Sequence, residues 1–370
     1  MQELPKVRFS NQAEQRQFHQ TLTKRVNRYF RWNGISKHAN GQMVFKTAFM
    51  YMLYFLPFVL MLTGVLQEWW GWTIGFVLMG WGMAGIGLSV MHDANHGSYS
   101  HRPWVNQLLG LSLNLVGGAS FTWQVQHNVL HHTYTNVYEM DEDISPRGLF
   151  RFSPDSKFRG IHRFQHLYAW FFYGLLTLSW VFVKDFKRLK RYEELGLVKK
   201  QKTTYWREFG IILISKVFYF SYVLGLLFWL TDFSVAQVLL GFVLMHYIAG
   251  LILALIFQPA HVEEDTAFFQ PNEEGLLPSA WAAHQLQTTS NFAMRSRLFT
   301  WYVGGLNYQV EHHLFPNICH VHYRKLSKIV RRTAKEFNLP YNARPTFIQA
   351  LWYHGKLLYQ LGRKPKPVAA

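Results

Sequence analysis

The sequence predicts an all-α integral membrane protein: four transmembrane helices in two hairpins, with a helical cap on the cytoplasmic side. Three observations carry this. Four stretches of about 20 residues are almost free of charge, the length a helix needs to cross ~30 Å of hydrocarbon. They come in pairs whose connections are too short for anything but a tight turn. Lysine and arginine are missing from both connections and dense outside the spans, which places the basic segments and both termini in the cytoplasm.

Taken in order, the first 45 residues lack the continuous apolar core of a signal peptide and are rich in Lys, Arg, Gln and Asn. Phe18, Leu22, Val26 and Phe30 recur every fourth residue. They describe a helix that either lies apolar side down on an anionic membrane or packs as an ordinary amphipathic helix. Residues 1–45 therefore read as an N-terminal cytoplasmic or interfacial segment. The first span covers about 47–66 and the second about 70–91, joined by Gln67-Glu68-Trp69. The second pair covers about 211–230 and 235–257, turning around Asp232. Lys216 falls near the start of the third span and reads as a snorkelling side chain. His246, inside the fourth, reads as a hydrogen-bond partner of a neighbouring helix. Two further apolar stretches are shorter or interrupted. Residues 105–121 carry Asn106, Gln107, Asn114 and the pair Gly117-Gly118; residues 167–183 are apolar enough to span by composition alone. After the fourth span an amphipathic helix runs to Phe337, with breaks at Pro340 and Pro345. The main domain is thus read as 46–337 and residues 338–370 as a C-terminal cytoplasmic tail, whose last stretch, "RKPKPVAA", reads as disordered.

Composition narrows the function. Of 370 residues 49% are apolar, and only 16% are charged, against about 25% in soluble domains. The net charge of +17, from 38 basic and 21 acidic residues, would suggest nucleic acid in a soluble chain. Here it follows from membrane topology and an anionic lipid surface, so no nucleic-acid partner is expected. The single cysteine, Cys319, excludes an intrachain disulfide, iron–sulfur ligation and a thiolate zinc site.

The 18 histidines are not scattered. "HDANH" puts His92 and His96 directly after the second span. "HNVLHH" contributes His127, His131 and His132. "NYQVEHHLFP" contributes Gln309, His312 and His313 after the fourth span. Residues four apart share one helix face, and adjacent ones point about 100° apart. Such pairs reach two ions, or one ion with help from a distorted backbone. With four spans, all three clusters fall on the cytoplasmic side, because two crossings separate the second from the third. A crossing by residues 167–183 would put the third cluster on the opposite face, so that stretch is expected to be an interfacial or packed helix. Imidazole without thiolate suits iron, copper, nickel or zinc. Seven clustered histidines exceed the needs of one ion with an open position, so two ions fit better. Two redox-active irons would reduce O2 with electrons from outside, whereas zinc would point to hydrolysis or transport.

These clusters resemble the three histidine boxes of the membrane fatty acid desaturases: His92 and His96; His127, His131 and His132; Gln309, His312 and His313. The glutamine form of the third box, in "GGLNYQVEHHLFP", looks like the front-end desaturases and their bacterial acyl-CoA or acyl-lipid relatives. The resemblance covers roughly residues 45–335. It implies a di-iron centre, with O2 as co-substrate and two externally supplied electrons, that removes hydrogens from adjacent methylenes to leave a cis double bond and water. An unactivated C–H bond has no acidity, so a side-chain base cannot do this.

The resemblance also implies a histidine near the end of the fourth span. His261, in "FQPAHVEED", is assigned that role, with His284, in "HQLQTTSNF", as the competing residue. Gln309 is read as a weak iron ligand that leaves a position open. Asp93, Asp141, Asp143 and Glu311 are read as acceptors that orient imidazole N–H groups. His101, His162, His166, His320 and His322 read as ordinary histidines, the last two helping to hold the third box. Phe121, Trp123, Trp170 and Tyr173 read either as walls of an acyl tunnel or as interfacial belt residues. Many front-end desaturases carry a fused cytochrome b5 domain with a His-Pro-Gly-Gly motif. That motif is not in this sequence. The electrons are therefore expected from a separate ferredoxin, flavodoxin or cytochrome b5, drawn to a basic cytoplasmic face. The expected location is that of a multi-pass membrane protein with its active site and termini in the cytoplasm, in the inner or plasma membrane if the source is bacterial. The remaining rival in chemistry is an acyl-chain or lipid hydroxylase or ketolase of the same di-iron class, separable by its product. A metal transporter would place ligands along the spans, and a haem cytochrome would need histidine pairs on facing spans; neither pattern is present.

Overall fold

The computed structural model describes residues 6–144 and 148–363; the basic tail after Arg363 lies outside them. Four helices are long and apolar enough to cross a membrane. They are α2 (Gly41–Leu62), α3 (Trp69–Asn95), α7 (Tyr205–Leu230) and α8 (Val235–His261). Their starts follow from capping chemistry. Asn40 accepts from the Met43 amide at 3.1 Å, and Thr204 from that of Arg207 at 3.4 Å. Ser234 and Gln237 close a reciprocal capping box at the head of α8.

Helix α3 is the centre of the bundle. Of its most apolar window 78% is buried, against 33% for α2 and 28% for α7. Small residues make that possible, since lipid offers no hydrophobic drive for helices to associate and close packing must do the work. A Cβ on Gly80 would sit 2.7 Å from the Met245 carbonyl oxygen of α8, and one on Gly82 2.6 Å from the Tyr54 nitrogen of α2.

Around the bundle lie shorter elements. Helix α1 (Ala13–Asn33) precedes α2. Two short helices, Pro103–Gly110 and Ser112–Leu115, follow α3, so the interrupted stretch 105–121 does not form one spanning helix. Next come α4 (120–134), α5 (Gly160–Tyr173) and α6 (Leu176–Glu194). After α8 come α9 (Trp281–Gln287), α10 (Arg297–Tyr302), α11 (Gln309–Leu314), α12 (Tyr323–Glu336) and α13 (Phe347–Leu361). Two parallel strand pairs tie distant segments: Arg8–Phe9 with Leu276–Leu277, and Ser290–Phe292 with Asn342–Arg344.

Four expectations meet the structure here. Phe18, Leu22, Val26 and Phe30 are buried in one cluster with Leu326, Val330 and Ala334 of α12, so α1 is a packing helix whose apolar edge is covered by protein. The stretch 167–183 is broken: α5 and α6 meet at 74°, and Gly174 at the break seats against Tyr247 and Gly250 of α8. His246 bonds a neighbouring helix as expected, its Nε2 lying 2.7 Å from the Tyr219 hydroxyl. Lys216 does not snorkel. It lies midway along α7, and its Nζ turns inward to Asp185 Oδ2 at 2.6 Å and to the Gly117 carbonyl at 2.5 Å.

A turn fixes the third box against α3. Gly304 has φ +62°, the left-handed region open to glycine, and a Cβ there would land on the Leu88 carbonyl oxygen. The loop leading into α11 therefore presses on the backbone four residues before His92.

Candidate metal centre

Four segments deliver eight imidazoles to one buried place. Helix α3 widens into a π turn at Ile86–Met91 and hands on directly to His92, with His96 one turn later. The second box lies in another π turn, Val125–His131, inside α4. A π turn inserts one extra residue into the helical ladder and re-aims the side chains after it, which is why such turns collect at functional sites. His261 is the last residue of α8, and His312 and His313 lie on the single short helix α11. All but His96, which is half-buried, are buried.

The imidazoles fall into two adjoining sets. In the first, His92, His96, His127 and His312 each offer a ring nitrogen within 4.8 Å of all the others. In the second, His131, His261 and His313 do the same. His132 joins them. Its Nε2 is 2.9 Å from His312 Nε2 and 3.2 Å from His127 Nε2, and its ring stacks on His313 with centroids 4.4 Å apart. Clusters as far apart in the chain as His92 and His312 thus converge.

The chemistry of this donor set fits metal ions. A buried polar nitrogen without a partner costs free energy. Here both ring nitrogens of His92 and the Nε2 atoms of His96, His261 and His313 have no partner among the described residues. Burial holds His96, His127, His132, His312 and His313 well below the ordinary histidine range, so they are neutral, the form that ligates metal. His131 differs: burial pulls it down, but the carboxylates of Asp141 and Asp143 outweigh that and leave it raised.

The outward nitrogens are tied to oxygens that fix ring orientation. His131 Nδ1 donates to Asp141 at 3.0 Å, His313 Nδ1 to the Gln285 side-chain oxygen at 2.8 Å, and His261 Nδ1 to the Thr288 carbonyl at 3.2 Å. A neutral ring that spends its one N–H outward keeps the Nε2 lone pair for the centre. His312 Nδ1 lies 3.2 Å from the Tyr323 hydroxyl. Trp123 stacks on His127 at 4.5 Å and, with Phe257 6.4 Å from His92, walls the first set.

The residues singled out from sequence divide accordingly. Asp141 holds His131 and also accepts the Asn136 and Asp143 amides. Asp143 lies 3.6 Å from His131 Nδ1 and 4.0 Å from His127 Nδ1. His261 joins the second set, whereas His284 points away, with its Nε2 2.7 Å from the Thr135 carbonyl. Asp93 serves His320 rather than a box imidazole, accepting from its Nδ1 at 2.8 Å; His320 Nε2 in turn meets Lys46 Nζ at 2.7 Å. Glu311 faces Asn291 and Tyr341, each 2.9 Å away, and burial raises its carboxyl to about 7. Gln309 is buried with its amide nitrogen unpartnered among the described residues. Of the four aromatic residues named as tunnel walls, Trp123 alone touches a box histidine among the described residues.

Gln285, Thr288 and Tyr323 were not anticipated. Gln285 had one legible signal: it adjoins His284 on a helix, so only one of the two could face inward. Asp141→Asn keeps the shape and loses the charge that orients His131. It should weaken metal binding about 10- to 100-fold, the usual cost of removing such a partner. Metal titration of the purified variant would show this, and wild-type affinity would remove Asp141 from the centre.

The chain is similar over most of its length to known proteins. The family described as fatty acid desaturase matches residues 67–345. The sn-1 linoleoyl-lipid 6-desaturase of Synechocystis sp. is 35% identical over 356 residues, covering 95% of this chain and 97% of that one. The enzyme of the same description from Arthrospira platensis is 34% identical, covering 95% and 94%. An acyl-lipid (8-3)-desaturase of Physcomitrium patens is 38% identical, covering 95% and 72%.

Proposed function

The chain belongs to the fatty acid desaturase family and is an oxidoreductase that desaturates fatty acyl chains, and from that premise we propose that it sets a cis double bond into an acyl chain carried on a lipid, at a centre of two iron ions. The observation that supports this most is the convergence of eight imidazoles into two adjoining sets. His92, His96, His127 and His312 would hold one ion, His131, His261 and His313 the other, with His132 between them. When bound, two irons supply with O2 and two electrons the oxidant strong enough to take hydrogen from an unactivated methylene, which no side chain can.

The protein's own share is arrangement. Asp141, Gln285 and the Thr288 carbonyl keep three rings turned with Nε2 inward. Burial keeps His96, His127, His132, His312 and His313 neutral and water out of the centre. Trp123 and Phe257 present apolar faces beside the first set, where an acyl chain is tolerated and a hydrated headgroup is not. The acyl-lipid substrate follows from the relatives, whose printed names are lipid-linked.

The four spans form two hairpins with the centre, its helical cap and both ends of the chain in the cytoplasm. The connections 63–68 and 231–234 contain no Lys or Arg, while the segments on the other side carry nearly all of them. Electrons come from a separate acidic donor protein attracted to that basic face.

Expression in a host with a simple lipid profile tests the reading. Fatty acids released from separated lipid classes should contain a new cis alkene, located by gas chromatography–mass spectrometry. An alcohol or ketone from the same chain would replace desaturation by oxygenation. No new product from iron-loaded protein supplied with a donor would reject the assignment.

A further inference from the structure

Helix α13 and helix α5 leave large apolar side chains uncovered, in lines rather than singly. On α5 the line is Phe164, Leu167 and Phe171, between 58% and 65% exposed, with Ile161 ahead of it. On α13 it is Ile348 at 78%, Trp352 at 71% and Tyr359 at 41% exposure. The lines adjoin. The His166 and Tyr359 rings stand 4.9 Å apart, and a Cβ on Gly355 would meet Trp170 at 3.3 Å. Leu298 of α10, also 78% exposed, extends the surface, because its neighbour Phe299 packs on Phe347 at 4.9 Å. A soluble surface does not carry such a continuous patch without a partner.

The position of these helices along α8 identifies the partner. The end of α5 reaches Gly250, 11 residues before His261 and so about 16 Å along α8, roughly half the hydrocarbon thickness. There the chain breaks at 74° and turns into α6, whose later residues are charged. Ala350 of α13 shares an apolar cluster with Leu253 and Ile256 of α8. On the adjoining edge of α13, Lys356 and Gln360 bind Glu264, just past the end of α8. The apolar line is thus level with the last apolar turns of a span, and the polar edge is level with the start of its charged flank. That is the layout of a helix lying in the headgroup–acyl boundary.

We propose that α5, α10 and α13 form a membrane-embedded collar on the side of the histidine centre, with α5 and α6 as a re-entrant element and α13 as an interfacial helix inserted through Ile348, Trp352 and Tyr359. The occupant of this face is the bilayer itself, because the face continues the lipid-facing surface of α8. Residues 347–361 are therefore part of the membrane domain.

Site-directed fluorescence on the full chain in vesicles of phosphatidylcholine and phosphatidylglycerol tests this. Cys319 is buried, so Ile348→Cys offers a single accessible thiol, and Ile348 is exposed enough for the change to spare the core. Lipids carrying a nitroxide on the acyl chain should cut the emission of a dye at this position by about half or more, while aqueous iodide has little effect. Gln349→Cys, on the polar edge, should show the reverse. Leu240→Cys on α8 reports whether the span itself contacts lipid. A dye at position 348 quenched by iodide like free dye would place α13 in water and overturn the proposal. Protection from both quenchers would mean a protein covers the face and would overturn it equally. Lipid quenching absent at position 240 as well would fail the membrane reading of α8 and the collar with it.

Discussion

His131→Ala should abolish the new alkene, lowering conversion more than about 100-fold, and should reduce bound metal from about two ions per chain to about one. Removing an outer partner already costs 10- to 100-fold, so loss of a ligand should cost no less. His131 is one of only three imidazoles in the second set; His132, between the sets, has its Nε2 2.9 Å from His312 and 3.2 Å from His127 of the first set, and His284 is spent on the Thr135 carbonyl. The variant should remain folded. Asp141, which loses its imidazole, keeps the Asn136 and Asp143 amides as donors at 2.9 Å each, so no naked carboxylate is left behind. His284→Ala is the matched comparison: it should retain both ions and measurable product, since its ring lies outside both sets. Metal analysis alongside product analysis separates the cases. Product surviving in His131→Ala, or both variants losing metal alike, would dissolve the two-set arrangement.

The clustering of the histidines was largely legible because spacing reveals which side chains share a face. Four-residue and adjacent histidines can be counted, and the parity of the spans restricts which side they share. The π turns at Ile86–Met91 and Val125–His131 were foreshadowed only as a distorted backbone, because no residue pattern marks one extra residue in a helical ladder. The carboxylates were harder. Asp93, Asp141 and Glu311 each lie within ten residues of a box histidine, yet Asp141 alone of these three bonds one at hydrogen-bond distance. Direction is decided by partners far away, His320 for Asp93 and Asn291 with Tyr341 for Glu311, and chain distance carries no trace of that. The four-residue apolar repeat of α1 was compatible with lipid or protein below it; α12 decides for protein. Helix α13 was missed because its apolar residues are interleaved with Gln349, Lys356 and Gln360, so no window is apolar enough to draw attention.

Lys216→Met should destabilise the folded protein by about 3–5 kcal/mol, the usual cost of leaving one member of a buried ion pair alone. Hydropathy placed this lysine among lipid-facing residues, but its ammonium is turned into the protein, with only 5% of the side chain exposed. It donates to Asp185 Oδ2 at 2.6 Å, to the Gly117 carbonyl at 2.5 Å and to the Trp180 carbonyl at 3.1 Å. Those three acceptors belong to two separate stretches: the Gly117-Gly118 bend before the second box, and α6, at its π turn and at the start of its charged part. Methionine fills the volume but donates nothing. Asp185 then keeps the Thr122 hydroxyl, 2.8 Å away, as its remaining side-chain partner in an apolar surround. Removing the orphaned charge as well, in Lys216→Met with Asp185→Asn, should recover most of the loss, because the penalty lies in the unpaired carboxylate more than in the missing attraction. Thermal unfolding in detergent reads both variants. The single change should lower the midpoint by several degrees and the double change should restore most of it. A single variant as stable as wild type would show that the pair contributes no net stability. A double variant no better than the single would locate the loss in the two abandoned carbonyls instead of in the carboxylate.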